Sequence, residues 1–358
     1  MKNNKKEIFA KRLKVARKMS GYSQDKLVVA LDRAISKNAI SKYEKGQMLP
    51  SSKVLILLSR ALDISVDYFF RPIKYENQEL KQFEYRKAVS KFKKSDEVRI
   101  ENCLLDYFER YSELEELINE RLEFKNPLGS ENLVKNKKDI EKKAEKVREK
   151  WKLGNDPIAT LIDILEEEGI KIIELDEKKS FNGISGKIGN SLVIAINKNI
   201  PSDRKRFTIL HELAHLIMRF DNSLTQKEVE ILCHKFAGAF LMPKEIFIRE
   251  FGKQRSNMST KELIDFKEYF GASIQAIVYR AFDLGLITER FKNKFYRKWS
   301  ALGYRKNEPG EYQIKEKPTR FKHLLIRATV EDYISFSKAT HLASKNITDF
   351  EKEIELVV

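Results

Sequence analysis

Residues 207–217 read FTILHELAHLI, an apolar segment in which His211, Glu212 and His215 are the only ionisable side chains. Because an α-helix has 3.6 residues per turn, the spacing of four places both imidazoles on one helix face, about one turn apart. Two histidines so placed can bind one Zn²⁺, and Glu212 can then reach a zinc-bound water. Zinc lowers the pKa of such a water to about 7, and a nearby carboxylate takes its proton as general base. The pattern therefore favours metal-assisted hydrolysis over a pair of structural histidines, which would be buried without partners.

A third protein ligand is expected outside this motif, because catalytic zinc sites take three. Downstream, Thr225 and Glu228 have the spacing of a capping box that starts a helix running to Met242. Glu228 is explained as the capping partner. Glu230 and His234 lie four residues apart on the same helix, and either side chain can complete the site.

Between residues 170 and 196 the pattern changes from helix to strand. IKIIEL at 170–175 predicts one strand, and Gly189-Asn190 predicts the turn of a hairpin formed by Ile184–Ile188 and Leu192–Ile196. We expect Leu192–Ile196 to be an edge strand, to which an extended peptide can add by backbone hydrogen bonds. The predicted fold class is therefore mostly α with a small β-sheet (α+β).

Most of the chain's positive charge lies at the amino-terminal end. The net charge is +16 over 358 residues, and the first 72 residues alone hold 16 Lys+Arg against six Asp+Glu, a net charge of +10. A small basic module of this kind is typical of nucleic-acid binding.

Composition excludes several protein classes. Two cysteines, Cys103 and Cys233, form one pair at most, which rules out a disulfide scaffold and fits a reducing compartment. No segment approaches the roughly 18 apolar residues that span a bilayer, and the charged start of the chain does not resemble a signal peptide. We expect a cytoplasmic protein with no membrane partner.

From Glu7 to Phe70 the sequence predicts five short helices. Ser23 and Ser36 are placed to cap the second and third, and Gly46 to end the third. The third helix would expose Lys37, Asn38, Ser41 and Lys42, which is the pattern of a helix-turn-helix recognition helix.

The segments RLKVARKMSGYSQDKLVVAL and ISKNAISKYEKGQMLPSSKVLILLSRALDISVDYFF resemble the XRE (Cro/C1-type) family of repressor domains. The resemblance implies double-stranded DNA as a partner, with base edges and phosphates contacted by the start of the second helix and the outward face of the third. The matching positions are Gln24, Lys37, Asn38, Ser41 and Lys42. One departure is the turn Leu31–Ile35, which is longer than the usual turn of that family.

Three further segments, EKVREKWKLGNDPIATLIDILEEEGIKI, RKRFTILHELAHLIM and EVEILCHKFAGAFLMP, resemble the ImmA/IrrE metallopeptidase family. The resemblance implies a zincin-like domain with zinc held by His211, His215 and Glu230, and with Glu212 as the catalytic residue. It also implies a protein substrate, since members of that family cleave repressors.

The chain departs from the ImmA/IrrE pattern at one pair of residues. Cys233-His234 stands where that family has Ala-Asn. We therefore expect His234 to be a spare or competing ligand to Glu230, or Cys233 to be a redox-sensitive neighbour of the site.

The predicted order is a five-helix bundle, a metallopeptidase domain and an extension of unknown role. The proposed boundaries are 1–72 for the XRE-type domain, 73–130 for a helical linker, 131–290 for the zinc domain and 291–358 for the extension. The linker's apolar stripe, from Ile100 to Ile118, fits a linker helix, a dimerisation helix or packing, so a homodimer is left open. In the extension, Lys292–Arg305 is basic and aromatic and can bind a ligand or a partner.

Two functions are compatible with the sequence. The first is a DNA-binding transcriptional regulator carrying a zinc endopeptidase that cleaves a repressor or other regulatory protein, with the DNA-binding half either regulating transcription or only bringing the protease near its substrate. The second is a transcription factor whose metallopeptidase-like domain senses a metal or ligand without hydrolysis.

Overall fold

The structure is a computed structural model that describes residues 2–74, 93–177, 181–305 and 307–355. Its contacts divide the chain into two compact units: Met1–Arg121 together with Thr319–Val358, and Leu122–Pro318. The second unit is thus inserted in sequence between two parts of the first, and the predicted extension 291–358 is shared between the units. The boundaries at 72, 130 and 290 stay predictions, and residues 75–92 of the predicted linker lie outside the described residues.

Helices dominate both units, with short strands in the second, which confirms the predicted fold class. The helices are α1 (Lys2–Met19), α2 (Gln24–Ala30), α3 (Lys37–Glu44), α4 (Ser52–Leu62), α5 (Lys94–Ile118), α6 (Lys137–Lys150), α7 (Leu161–Glu167), α8 (Ser202–Ile217), α9 (Gln226–Leu241), α10 (Lys244–Phe251), α11 (Thr260–Phe270), α12 (Ile274–Asp283), α13 (Glu289–Ala301), α14 (Arg320–Val330), α15 (Phe336–Ala343) and α16 (Ile347–Glu355). The strands are β1 (Leu133–Val134), β2 (Lys171–Leu175), β3 (Gly183–Ile188), β4 (Ser191–Asn197) and β5 (Arg219–Phe220).

The amino-terminal bundle forms as the sequence predicts, with a 3₁₀ helix at Val66–Phe70 as its fifth element. The hydroxyls of Ser23 and Ser36 accept backbone N–H groups three residues on, so both predicted caps are confirmed. The longer turn before α3 contains Asp32 and Arg33, both in the left-handed region with φ of 50° and 59°. Two consecutive non-glycine residues in this region are uncommon, so the backbone of this turn is irregular.

The apolar stripe of α5 is buried inside the first unit, as the packing alternative expects. Its carboxyl-terminal half forms one cluster with α14, α15 and Phe350 of α16. Towards the amino-terminal bundle, Arg12 contacts Glu109 at 2.7 Å and Arg71 contacts Asp106 at 2.5 Å. All four of these charged side chains are buried. The contact with its partner therefore compensates each charge for the hydration that it loses on folding.

In the second unit, β2, β4 and β3 form a three-stranded sheet in that order. The predicted hairpin is confirmed, since β3 and β4 pair antiparallel around Gly189 and Asn190. The expectation that Leu192–Ile196 is an edge strand is wrong, because β2 pairs parallel with β4 on its other side. β3 is therefore an edge strand of this sheet, and β4 is central.

Helix α8 lies between this sheet and α9, contacting β3, β4 and α9. Its start is fixed by Arg206, whose guanidinium is fully buried against the Glu316 carboxylate. The same carboxylate accepts the backbone N–H groups of Leu161 and Ile162, at 3.0 Å each, and so caps α7. Asp156-Pro157 is a favourable helix start, but α7 starts only at Leu161, because its capping group comes from a residue remote in sequence.

Helices α11 and α12 follow one another across a short turn that contains Gly271. Their apolar residues, among them Phe270 and Ile277, belong to the core of the second unit. In the described residues, no helix is both long enough and apolar enough to span a membrane.

Candidate metal centre

His211 and His215 lie one turn apart on α8, as their spacing predicts. Their rings are nearly perpendicular, with centroids 4.7 Å apart and an interplanar angle of 89°. The two Nε2 atoms approach to 3.1 Å. Both rings therefore present the same nitrogen to one small volume beside the helix.

Helix α9 adds a carboxylate to this volume. The capping box predicted at its start is present, because the hydroxyl of Thr225 accepts the N–H of Glu228 and the Glu228 carboxylate accepts the N–H of Thr225. Two residues on, Glu230 faces α8 with Oε2 3.2 Å from Nε2 of His211 and Oε1 3.6 Å from Nε2 of His215. The amide of Gln226 donates to Oε1 at 3.0 Å, which fixes the carboxylate's orientation.

The three groups fit a zinc ion by donor type and by spacing. One atom from each of His211, His215 and Glu230 lies within 4.8 Å of the others. Zinc ligands about 2.05 Å from a tetrahedral ion are about 3.3 Å from one another, close to the measured 3.1, 3.2 and 3.6 Å. Two imidazole nitrogens and a carboxylate oxygen are also a donor set that catalytic zinc takes.

His234, the alternative third ligand, takes a different place. Its Nδ1 donates to the backbone oxygen of Glu230 at 2.7 Å, and its ring stacks on Phe207 with centroids 5.8 Å apart. The ring also packs against His211 at 4.3 Å between centroids. Burial, and secondly the neighbouring His211, lower the pKa of His234 below its ordinary value. The geometry thus favours Glu230 as the third ligand, with His234 as a neutral ring covering His211.

Glu212 points toward β3. Its Oε2 accepts a hydrogen bond from the Ser185 hydroxyl at 2.7 Å. Two residues earlier on the same strand, a Cβ on Gly183 would come within 2.7 Å of the Thr208 side chain, so glycine there allows β3 to approach α8. Ser185 is not among the site residues predicted from the sequence. The small residues of the predicted hairpin are the signal that could have indicated a close approach of this strand to the motif.

Cys233 contacts the outer nitrogen of His215. Its buried Sγ lies 3.0 Å from Nδ1. Cys233 and Glu230 are one turn apart on α9. Cys233 contacts Nδ1 of His215 and Glu230 contacts Nε2, so the helix contacts both ring nitrogens of this histidine. A proton on Nδ1 directed at sulfur leaves Nε2 as a lone-pair donor, and such outer partners orient metal-binding histidines.

We expect Cys233→Ala to weaken zinc binding by about 10-fold, because loss of an outer partner of a ligating histidine costs roughly 10–100-fold in metal affinity. Cys233→Ser, which keeps a hydrogen-bonding atom, should stay closer to wild type. Chelator competition measures both affinities, and Cys103→Ala is the matched control in the first unit. An unchanged affinity in Cys233→Ala would show that the contact does not orient His215.

The residues predicted to read DNA lie on or beside α3. Lys37, Asn38 and Lys42 are exposed and Ser41 is half-buried, while Ile40 and Tyr43 point into the bundle. Lys37 pairs with Asp25 at 2.8 Å, an exposed contact. Such surface pairs are worth about 0–1 kcal/mol and can be exchanged for phosphate.

Gln24 lies at the start of α2, as predicted, and its amide donates to Glu44 of α3 at 2.8 Å. Arg17 of α1 pairs with the same carboxylate at 2.6 Å. Glu44 therefore ties the first three helices together and sets the position of α3 relative to α2.

Comparison with known families gives two matches, one in each region that the residues single out. The model of the M78 peptidases, described as an IrrE N-terminal-like domain, matches residues 165–282. A helix-turn-helix family model matches residues 13–69. The chain joins an XRE-type helix-turn-helix region to an ImmA/IrrE-like metallopeptidase region. No curated protein matches the chain.

The peptidase match covers the converging side chains on α8 and α9 and the strand that bears Ser185. The helix-turn-helix match covers α2, α3 and α4 and all five residues predicted to contact DNA. The peptidase match thus covers the candidate metal centre, and the helix-turn-helix match covers the exposed face of α3.

Proposed function

We propose that the chain is a cytoplasmic DNA-binding transcriptional regulator with a zinc-dependent endopeptidase domain, and that it cleaves a repressor or other regulatory protein. The observation that carries the enzymatic half is the convergence of His211, His215 and Glu230 beside Glu212, within the region that matches the M78 peptidases. The exposed face of α3, within the region that matches the helix-turn-helix family, supports the proposal of DNA binding.

In this proposal His211, His215 and Glu230 hold the zinc ion. When bound, zinc would supply Lewis-acid chemistry: it would polarise the scissile carbonyl and make the attacking water acidic enough to lose its proton near neutral pH. Glu212 accepts that proton as a general base and then, as a general acid, delivers it to the leaving amine. The Ser185 hydroxyl, 2.7 Å from the carboxylate, holds Glu212 toward the substrate side of α8.

The substrate chain would bind along β3. This edge strand carries Ser185 and lies against α8, so a peptide added to it runs past Glu212. Backbone hydrogen bonds supply affinity in this mode of binding, and side-chain pockets supply specificity. A repressor segment that is extended or locally unfolded fits such a strand better than a folded surface does.

The sensor alternative is separated from the peptidase by two measurements on the same zinc-loaded protein. The peptidase proposal expects candidate repressors from the same genetic locus to be cleaved, and cleavage to stop when a chelator removes zinc. The sensor alternative expects no cleavage, and a DNA affinity that changes when zinc is removed. A protein that carries zinc, cleaves none of the candidates and changes its DNA affinity with zinc would overturn the peptidase half.

The DNA-binding half predicts a loss of affinity when Lys37 and Lys42 are both replaced by Ala. Each lysine that pairs with a phosphate contributes about 0.9 to the slope of log affinity against log salt concentration. The double variant is therefore expected to bind duplex DNA more weakly and with a salt slope smaller by as much as about 1.8. Fluorescence anisotropy over a salt series measures both quantities.

Lys26 and Lys53, exposed on α2 and at the start of α4, provide the matched control for this experiment. Their double replacement by Ala removes the same charge from the same bundle. An equal loss in both double variants would show that net charge alone, rather than the face of α3, holds the DNA.

A further inference from the structure

A second basic segment lies far from the helix-turn-helix region in sequence. Residues 290–305 contain six Lys+Arg and no Asp or Glu. Together with the +10 of residues 1–72, this segment accounts for the whole net charge of +16, and the rest of the chain is balanced. The excess positive charge is thus concentrated in two places.

The structure forms most of the second segment into α13, which has two distinct faces. Phe295 and Trp299 stack with centroids 4.8 Å apart, and Trp299 is 4% exposed, so the aromatic face is packed into the second unit. The opposite side bears Arg290, Lys294, Arg297 and Lys298, all exposed. Their spacing of four, three and one residues gives a single stripe along the helix.

This stripe has no acidic counterpart. Within the described ranges, no carboxylate lies at ion-pair distance from any of its four cations. Lys292 differs from them, because it lies over the Phe282 ring at 3.6 Å and pairs with Glu289. Four uncompensated charges on one helix face repel each other, and an external polyanion would relieve that repulsion.

The spacing of the stripe is close to that of phosphates along a nucleic-acid strand. Residues 290 to 298 cover about 12 Å of helix, at about 1.5 Å per residue, so the four cations lie about 4 Å apart along the axis on average. One strand of duplex DNA presents a negative charge about every 3.4 Å. Binding to a membrane surface is disfavoured, because an interfacial helix needs a free apolar face and the aromatic face of α13 is packed inside.

We propose that the exposed stripe of α13 is a second DNA-contacting surface, which binds backbone phosphates without reading sequence. The proposal rests on the proposed DNA binding of the amino-terminal region and extends it to the metallopeptidase-like unit. Under this proposal each unit of the chain carries its own DNA-contacting surface.

The test compares the full-length wild type with two variants of equal charge. The stripe variant carries Arg290→Gln, Lys294→Gln, Arg297→Gln and Lys298→Gln. The control variant carries Lys137→Gln, Lys138→Gln, Lys142→Gln and Lys150→Gln, four exposed cations on α6 of the same unit. Affinity for a mixed-sequence duplex is measured by anisotropy between about 50 and 200 mM salt, where phosphate contacts dominate.

The stripe variant is expected to lose up to about 3.6 from the salt slope, at about 0.9 per phosphate contact, while the control keeps the wild-type slope. Equal slopes in wild type and stripe variant, or equal losses in both variants, would overturn the proposal. A stripe variant that keeps its DNA slope but no longer binds an acidic protein substrate would also overturn it, and would assign the surface to that substrate. A wild type that binds no duplex at all would instead overturn the DNA-binding function on which the proposal rests.

Discussion

Protein carrying His211→Ala is expected to purify without stoichiometric zinc, with an affinity for the metal lowered by more than the roughly 100-fold that loss of an outer partner costs. Nε2 of His211 is the atom nearest to both other donors, 3.1 Å from His215 and 3.2 Å from Glu230. Alanine removes it and leaves two donors, which is too few for a stable zinc site. Metal content per chain and chelator competition measure the loss.

Two other histidines serve as controls for this result. His323→Ala, on an exposed position of α14, should leave zinc content unchanged. His234→Ala should also keep zinc, because His234 directs Nδ1 to a backbone oxygen and Glu230 supplies the third donor. Loss of zinc in His234→Ala with retention in Glu230→Gln would reverse the assignment of the third ligand, and zinc retained in His211→Ala would remove the site altogether.

Replacing Glu212 with Gln is expected to lower the rate of peptide cleavage by about 10²–10⁴-fold, the contribution of a positioned general base, while zinc content stays at the wild-type level. Glutamine has the size of glutamate and its amide oxygen can still accept from Ser185, but it cannot take a proton from water. Initial rates of both proteins, loaded with equal zinc and at equal concentration, give the ratio.

Ser185→Ala is the companion variant to Glu212→Gln. It keeps the base and removes the hydroxyl that holds it, so its rate should fall by less than that of Glu212→Gln, with zinc content again unchanged. A Glu212→Gln protein that cleaves as fast as wild type would show that another group, or a contaminating protease, performs the reaction.

The parts of the structure that the sequence predicts well are those fixed by neighbours along the chain. The spacing of His211 and His215 determines their common face once the segment is helical. The caps at Ser23, Ser36 and Thr225 depend on groups only three residues away. The turn at Gly189-Asn190 likewise sets the register of its own hairpin.

The parts that the sequence does not predict depend on residues distant in the chain. β4 is a central strand because β2, which precedes the β3–β4 hairpin in sequence, pairs with the edge of β4 that β3 leaves free. The start of α7 is decided by Glu316, more than 150 residues away. Ser185 and Glu212 come into contact only when the sheet packs against α8.

The pairing of Cys233 with His215 is an intermediate case. In the sequence, Cys233 is a departure from the ImmA/IrrE pattern three residues after Glu230. Its position on α9 follows from the helix that the Thr225 capping box starts. Its distance from Nδ1 of His215 depends on how α8 and α9 pack, which only the folded core determines.

Mass spectrometry of candidate repressors from the same locus, incubated with the zinc-loaded protein, tests directly whether the chain is a zinc endopeptidase. We expect wild type to produce two new fragments from one of them by hydrolysis of a single peptide bond, and a chelator or Glu212→Gln to prevent this. Intact candidates after incubation with fully zinc-loaded wild type, or the same fragments from Glu212→Gln at the same rate, would contradict it.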